Sequence, residues 1–391
     1  MPTPNRWIRR AARLVVVVAL LEGSSYVALR LGGLLLTEEV RTGRSIIQEQ
    51  SERIRRLIRP DSSSLLVLDP VLGWRYRSGH RDSLNQVNLA GLRSVRDYVT
   101  RPPDKVTRVA VFGDSFVYGT EVGNEDAWPR VMEVRFPTVE VLNYGVGGYG
   151  NDQAYLRFLS EGATFSPHIV VLCFTPDDLT RLINVFRPFR SHRELPLTKP
   201  RYLLSGGNRL LFLPAPAGSA RDYARYLVEP RRILELGVAD DWYEPLIYEN
   251  PLHDYSATFR LLTTVWVRAT RRLAQDRLVR EGAFNPRSTA FRIQTQIFRA
   301  FSDSAQRRGA RPLIVFLPEI SSVRNARSGR PTVYASLANW LLQNGLDFLD
   351  ATDTFRFENA IDRWFMPGGH YSPEANRLVA QWLGGRITRM K

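Results

Sequence analysis

The chain has 391 residues, more than a single hydrophobic core usually organises, so two or three segments are expected in place of one compact unit. Lys and Arg number 54 against 39 acidic residues, a formal net charge of +15, but the arginines are scattered and no zinc-finger or RNP-like pattern accompanies them. A basic surface is therefore preferred to a nucleic-acid site, and the lone Cys173, in the run IVVLCF, excludes an internal disulfide or a Cys-rich zinc site and reads as a small buried hydrophobe.

At the N-terminus, Arg6, Arg9, Arg10 and Arg13 precede LVVVVALLEGSSYVALRLGGLLL, residues 14–36, which is long enough to cross a bilayer as a helix. The arginines should remain cytoplasmic, placing everything after residue 36 outside the cytoplasm. Glu22 and Arg30 are costly in hydrocarbon unless paired or snorkelling. No A-x-A cleavage site follows, which favours an uncleaved anchor over a removed signal peptide. Residues 37–64 carry charged residues with apolar ones at helical spacing and are expected to form a helical stalk. Residues 65–104 have short alternating runs and turn residues, a strand-rich lead-in.

From residue 105 to 391 the pattern changes. VTRVAVFG (106–113), VEVLNYG (139–145), HIVVLCF (168–174), RPLIVFLP (311–318) and LDFLD (346–350) are short β-branched runs separated mostly by helical stretches. Such alternation predicts an α/β fold, a three-layer α/β/α domain around a parallel sheet. More than a hundred residues separate the third and fourth runs, far too many for one crossover, so a large insertion is expected at about 183–285. Within this stretch KPRYLLSGGNRLLFLPAP has the pattern of a hairpin turning at Gly206 and Gly207, and 256–278 and 287–308 that of helices.

Three loops carry candidate chemistry. The first strand ends in V-F-G-D-S-F (111–116), which puts Ser115 on a glycine turn at the carboxyl end of a parallel strand, where open α/β sheets bind ligands. The motif F-M-P-G-G-H-Y-S-P-E-A-N (365–376) holds His370 in a Gly/Pro loop before a helix, placed to take a serine proton and return it to a leaving group. Between them, NYGVGGYG (143–150) spells G-x-G-x-x-G. A dinucleotide site would require that motif after the first strand and an acid about 20 residues further on. Position 170 is Val170, and the first strand already ends in GDSF.

Together the blocks G-D-S at 113–115, N-x-G-x-x-G at 143–148, D-D at 177–178 and the histidine at 370 resemble the SGNH, or GDSL, hydrolase superfamily. D-P-V-L-G-W-R and V-N-L-A-G-L-R in the lead-in are similar to membrane-anchored bacterial members. The resemblance implies a flavodoxin-like sheet and a serine esterase in which Ser115 is nucleophile and His370 general base. The N–H groups of Ser115 and Gly148, with Asp177 at the position of the family's asparagine, would line the oxyanion site. It also implies small acyl esters as substrates, such as O-acetyl groups on cell-envelope glycans, with no cofactor or metal. An O-acyltransferase of exported polysaccharide, or a weakened glycan-binding or assembly protein, remains open. The chain departs from the pattern twice. Where the family has an aspartate two or three residues before the histidine, this chain has Pro367 and Gly368, leaving Asp362, Asp350 or a backbone carbonyl to orient the ring. At 177 an ionised carboxylate would repel an oxyanion that an amide would bind, so Asp177 is expected to be protonated or repurposed unless the site is weakened.

Overall fold

Five of the β-branched runs form the strands β1 (Thr107–Phe112), β2 (Val139–Asn143), β3 (Ile169–Phe174), β4 (Arg311–Phe316) and β5 (Phe348–Asp350). They pair in the order β5-β4-β3-β1-β2, all parallel. This is the flavodoxin-like order, and its switch point lies between β1 and β3. The computed structural model describes residues 6–32, 42–59, 61–274, 277–355 and 361–390. Residues 33–36 of the expected anchor and 37–41 of the expected stalk lie outside these.

The alternation along the strands explains the three layers. Val109, Val111, Val171, Cys173, Leu313 and Val315 point to one face, where they join Trp128 and Met132 of helix Trp128–Arg135 and Val379, Leu383 and Ile387 of helix Pro373–Ile387 in one buried cluster. Phe112, Phe174 and Phe316 point to the other. There Phe112 meets Phe158 of helix Asn151–Glu161, and Phe174 and Phe316 meet Phe298 of helix Thr289–Arg307. Burying each such side chain contributes about 1.5–3 kcal/mol, and because both sheet faces are covered the strands read as unbroken apolar runs.

The chain divides into two units. The sheet unit holds residues 60–184, 198–219 and 275–391. It includes the lead-in hairpin Leu66–Asp69/Gly73–Tyr76 and a second hairpin, Arg201–Ser205/Arg209–Leu213. The approach to the second hairpin is tied down by Lys199, whose buried ammonium pairs with buried Asp152 and donates to the carbonyl of Pro200 at 2.9 Å.

The other unit holds residues 1–59, 185–197 and 220–274, so the insertion is shared between the two. Its helix Arg6–Gly32 is long and apolar enough to cross a membrane. Helix Gly43–Leu57 is N-capped by Thr42, whose Oγ1 accepts from the Ser45 N–H at 3.1 Å. It buries Ile46, Gln50 and Ile54, one helical face, against helices of the 220–255 stretch. The segment expected to be a stalk is thus helical but packed, because that face is too apolar to stand alone.

Candidate active site

At the end of β1 the chain turns through Gly113 and Asp114 into the one-turn helix Ser115–Tyr118. Asp114 caps that turn, its Oδ1 accepting from the Phe116 N–H at 2.9 Å. Asp114 Oδ2 accepts from Thr175 Oγ1 at 3.1 Å and from Arg181 Nη1 at 3.0 Å. Ser115 is 6% exposed at the start of the turn.

The glycine turn after β2 is fastened directly onto this block. Asn143 Nδ2 donates to the carbonyl of Val117 at 3.0 Å, its Oδ1 accepts from the Gly145 N–H at 2.9 Å, and the Val146 N–H donates to the carbonyl of Gly113 at 3.1 Å. A Cβ at Gly145 would stand 2.3 Å from the Tyr118 nitrogen, so only glycine permits this approach. Tyr76 and Trp74 of the lead-in hairpin hold the next glycine: Gly147 N–H donates to Tyr76 Oη at 2.9 Å, and Trp74 Nε1 donates to the Gly147 carbonyl at 3.1 Å. Gly148 follows with φ +79°. The glycines therefore shape a turn beside Ser115.

The D-D block follows β3. Asp178 Oδ2 accepts from the Thr175 N–H at 2.8 Å and from Asn151 Nδ2 at 3.4 Å. Burial, then the Asp114 charge, pushes its carboxyl well above the usual range, against the pull of Arg181. Asp177 lies further out; its Oδ2 accepts from Arg181 Nη2 at 2.7 Å and its Oδ1 from Thr180 Oγ1 at 3.2 Å. Its backbone N–H donates to Glu319 Oε1 at 3.2 Å. Glu319 is pushed up to about 7, by burial first and then by the Asp177 and Asp114 charges, with Arg181 opposing. Arg181 is thus a buried hub among Asp114, Asp177 and Asp178.

His370 is presented by a loop whose ends are pinned. Phe365 bridges Tyr371, the Met366 N–H donates to the His370 carbonyl at 2.7 Å, and Asn376 Nδ2 donates to the Tyr371 carbonyl at 3.1 Å. Ring contacts bring this loop to the serine block: the Phe116 ring lies 5.3 Å from the His370 ring and 4.9 Å from that of Tyr371. Among the described residues no hydrogen bond links Ser115 Oγ to the imidazole; such contacts commonly tighten only when substrate is bound.

The ring-orienting acid is neither of those expected. Asp362 is exposed and pairs with Arg324 at 2.7 Å, while Asp350 accepts from Tyr334 Oη at 3.2 Å and from the Thr352 N–H at 2.9 Å. Each is committed elsewhere by a closer partner. The carboxylate on His370 belongs to Glu121, whose Oε2 lies 2.7 Å from Nδ1. Glu121 Oε1 also accepts from the Gly368 N–H at 2.8 Å, and Oε2 from the His370 N–H at 3.2 Å. Partial burial pushes this carboxyl up, but the His370 side chain and the two backbone donors outweigh it and hold it below its ordinary value. A Cβ on Gly368 would stand 2.5 Å from Oε2 and 2.7 Å from Oε1. The missing side chain at 368 is therefore the room in which the Glu121 carboxylate sits.

Among the described residues no group of three or more His, Cys, Asp or Glu is arranged to hold a metal. No family model matches the chain, and no curated protein does. Solved structures similar to it include a protein classed as lipolytic, of the G-D-S-L family, from Desulfitobacterium hafniense, at 15% identity and a TM-score of 0.34 over 71% of this chain and 98% of the other. A GDSL-like lipase from Bacteroides thetaiotaomicron is similar at 12% identity and 0.34, over 75% and 93%. A lipase/acylhydrolase from Enterococcus faecalis is similar at 11% identity and 0.34, over 72% and 97%. At that level of likeness, function has to come from this chain's own geometry.

Proposed function

We propose that the chain is a membrane-anchored serine ester hydrolase of SGNH type working through Ser115, His370 and Glu121. The observation that carries the reading is the Glu121 carboxylate on His370 Nδ1, steadied by two backbone donors, in a loop packed on the residue after Ser115. A carboxylate accepting from Nδ1–H fixes the tautomer in which Nε2 is the base and stabilises the imidazolium that forms. Ser115 Oγ attacks the acyl carbon while its proton passes to His370 Nε2. The N–H groups of Ser115 and Gly148 hold the oxyanion. Collapse breaks the ester C–O bond, the departing oxygen takes the proton from Nε2, and water then repeats the sequence on the acyl-enzyme.

Asp177 is given a bracing role, since its Oδ2 is engaged by Arg181 Nη2 at 2.7 Å and its backbone N–H by Glu319 Oε1. The substrate class is that implied by the resemblance, small acyl esters such as O-acetyl groups on envelope glycans. The helix Arg6–Gly32 is the anchor, with Arg6, Arg9, Arg10 and Arg13 on the cytoplasmic side and the sheet unit outside.

A fluorophosphonate probe tests the core of this reading. It should label wild type at Ser115 and leave Ser115→Ala unlabelled; an unlabelled, folded wild type would overturn it. Acetate release against acyl transfer to added polysaccharide separates hydrolysis from transfer, because both pass through the same acyl-enzyme.

A further inference from the structure

The helix Ala257–Leu273 carries an apolar stripe that no described residue of its own unit covers. Leu262, Val265, Trp266, Ala269 and Leu273 fall at i, i+3, i+4, i+7 and i+11, one face of the helix, and all are exposed. Trp266 is 63% exposed and Leu273 83%. The opposite face, with Ala257, Thr263, Thr264 and Val267, is the buried one. The more hydrophobic side thus points outward.

In the same unit this helix packs on Arg6–Gly32. Residues 6–21 of that helix are exposed throughout, and burial begins only beyond them, at Ser25 and Leu29. Glu22 joins the two helices at a defined point. Its carboxylate accepts from the Ala257 N–H at 2.6 Å, from the Thr258 N–H at 3.4 Å and from Ser256 Oγ. The first N–H groups of a helix lack intrahelical acceptors and carry the positive end of its dipole. A carboxylate within an apolar segment needs such a partner.

We propose that Ala257–Leu273 is a second membrane-contacting element, whose Leu262–Leu273 stripe lies in lipid beside the anchor. The proposal rests on the reading of Arg6–Gly32 as an anchor. Lipid is favoured as the occupant because the stripe adjoins a helix whose own exposed surface is Leu14, Val15, Val16, Val17, Val18, Leu20 and Leu21. Trp266 is the kind of aromatic residue enriched at membrane interfaces.

The test uses the full chain in nanodiscs of phosphatidylcholine and phosphatidylglycerol, with single cysteines at Val16, Val265 and Leu342 labelled by an environment-sensitive fluorophore. Cys173 is buried, with its thiol pushed up by burial, so the unsubstituted chain serves as the blank. Leu342 is an exposed apolar residue of the sheet unit. Labels at Val16 and Val265 should lose most of their emission to lipids brominated in the acyl chain and resist aqueous iodide, while the Leu342 label does the reverse. If Val265 behaves like Leu342 while Val16 is quenched by bromolipid, the inference fails and the anchor stands. If Val16 also escapes bromolipid, both fail. Protection of Val265 from both quenchers, with pyrene excimers between copies, would give the stripe to a second copy and overturn the proposal.

Discussion

Glu121 and Gly368 compete for one volume, and that competition predicts a reversal of sign. Glu121→Ala removes the acceptor on Nδ1 and the partner of two backbone N–H groups. Removing the acid of such a triad costs on the order of a hundredfold to ten-thousandfold in kcat, or about 3–5 kcal/mol of transition-state stabilisation. Gly368→Asp in the wild type must also be harmful, because its Cβ would meet the Glu121 carboxylate at 2.5–2.7 Å. Once residue 121 is alanine the same Asp has an empty place to enter, and the N–H of His370 is there to receive it. Gly368 is absent from the positive-φ residues, so a side chain there brings no left-handed strain. Gly368→Asp should therefore lower kcat in the wild type and raise it, by about tenfold or more, in the Glu121→Ala background, a coupling beyond about 1.4 kcal/mol in a double-mutant cycle. Hydrolysis of a short-chain aryl ester gives kcat, and thermal melts of all four proteins confirm folding. Equal loss from Gly368→Asp in both backgrounds, with all four folded, would refute the shared volume.

Ser115→Ala and His370→Ala should each abolish nearly all esterase activity, with the double variant little worse than either; multiplying losses would mean that they do not act as a pair. Asp177→Asn should leave ester turnover within a few-fold, whereas a gain on the order of a hundredfold would show that residue 177 faces the oxyanion after all. Glu319 holds its proton more tightly folded than unfolded, so the stability it contributes is complete below its ordinary value near 4.5 and is lost as pH rises through about 7. Melting temperature should then fall between about pH 5 and 7 in wild type and fall less in Glu319→Gln; parallel profiles would sink the assignment. A reporter fused after residue 60 should be active only in an extracytoplasmic form, and cytoplasmic activity there would reverse the topology.

What could be read in advance follows the range of the interaction involved. The strands β1, β2 and β3 were legible because each is buried on both faces and so spells its role in consecutive residues. The serine turn was legible because its cap, Asp114 to the Phe116 N–H, spans two residues. The partner of His370 was not, because it lies 249 residues away and no periodicity marks it. Two traces were nevertheless present: a glycine where the family pattern has an acid, and Glu121 just past the nucleophile turn, held at φ +72°. The cost of Glu22 was legible as well, but its acceptor role lies more than two hundred residues on, at a helix N-terminus whose orphan N–H groups have no sequence signature of their need for a carboxylate.

In the proposed triad the displaced acid also changes what is held together. An aspartate at 367 or 368 would belong to the histidine's own loop, and could set the ring only relative to that loop. Glu121 belongs to the segment that leaves the serine turn, where the Gly119 and Thr120 N–H groups both donate to the Ser115 carbonyl, at 2.9 and 3.0 Å. Its carboxylate grips the backbone of 368 and 370 as well as the imidazole. Glu121 therefore couples the Ser115 loop directly to the His370 loop. In this arrangement losing Glu121 should loosen the distance between Ser115 and His370 as well as the tautomer, so Glu121→Gln, which keeps an acceptor oxygen for the backbone donors, should retain more activity than Glu121→Ala.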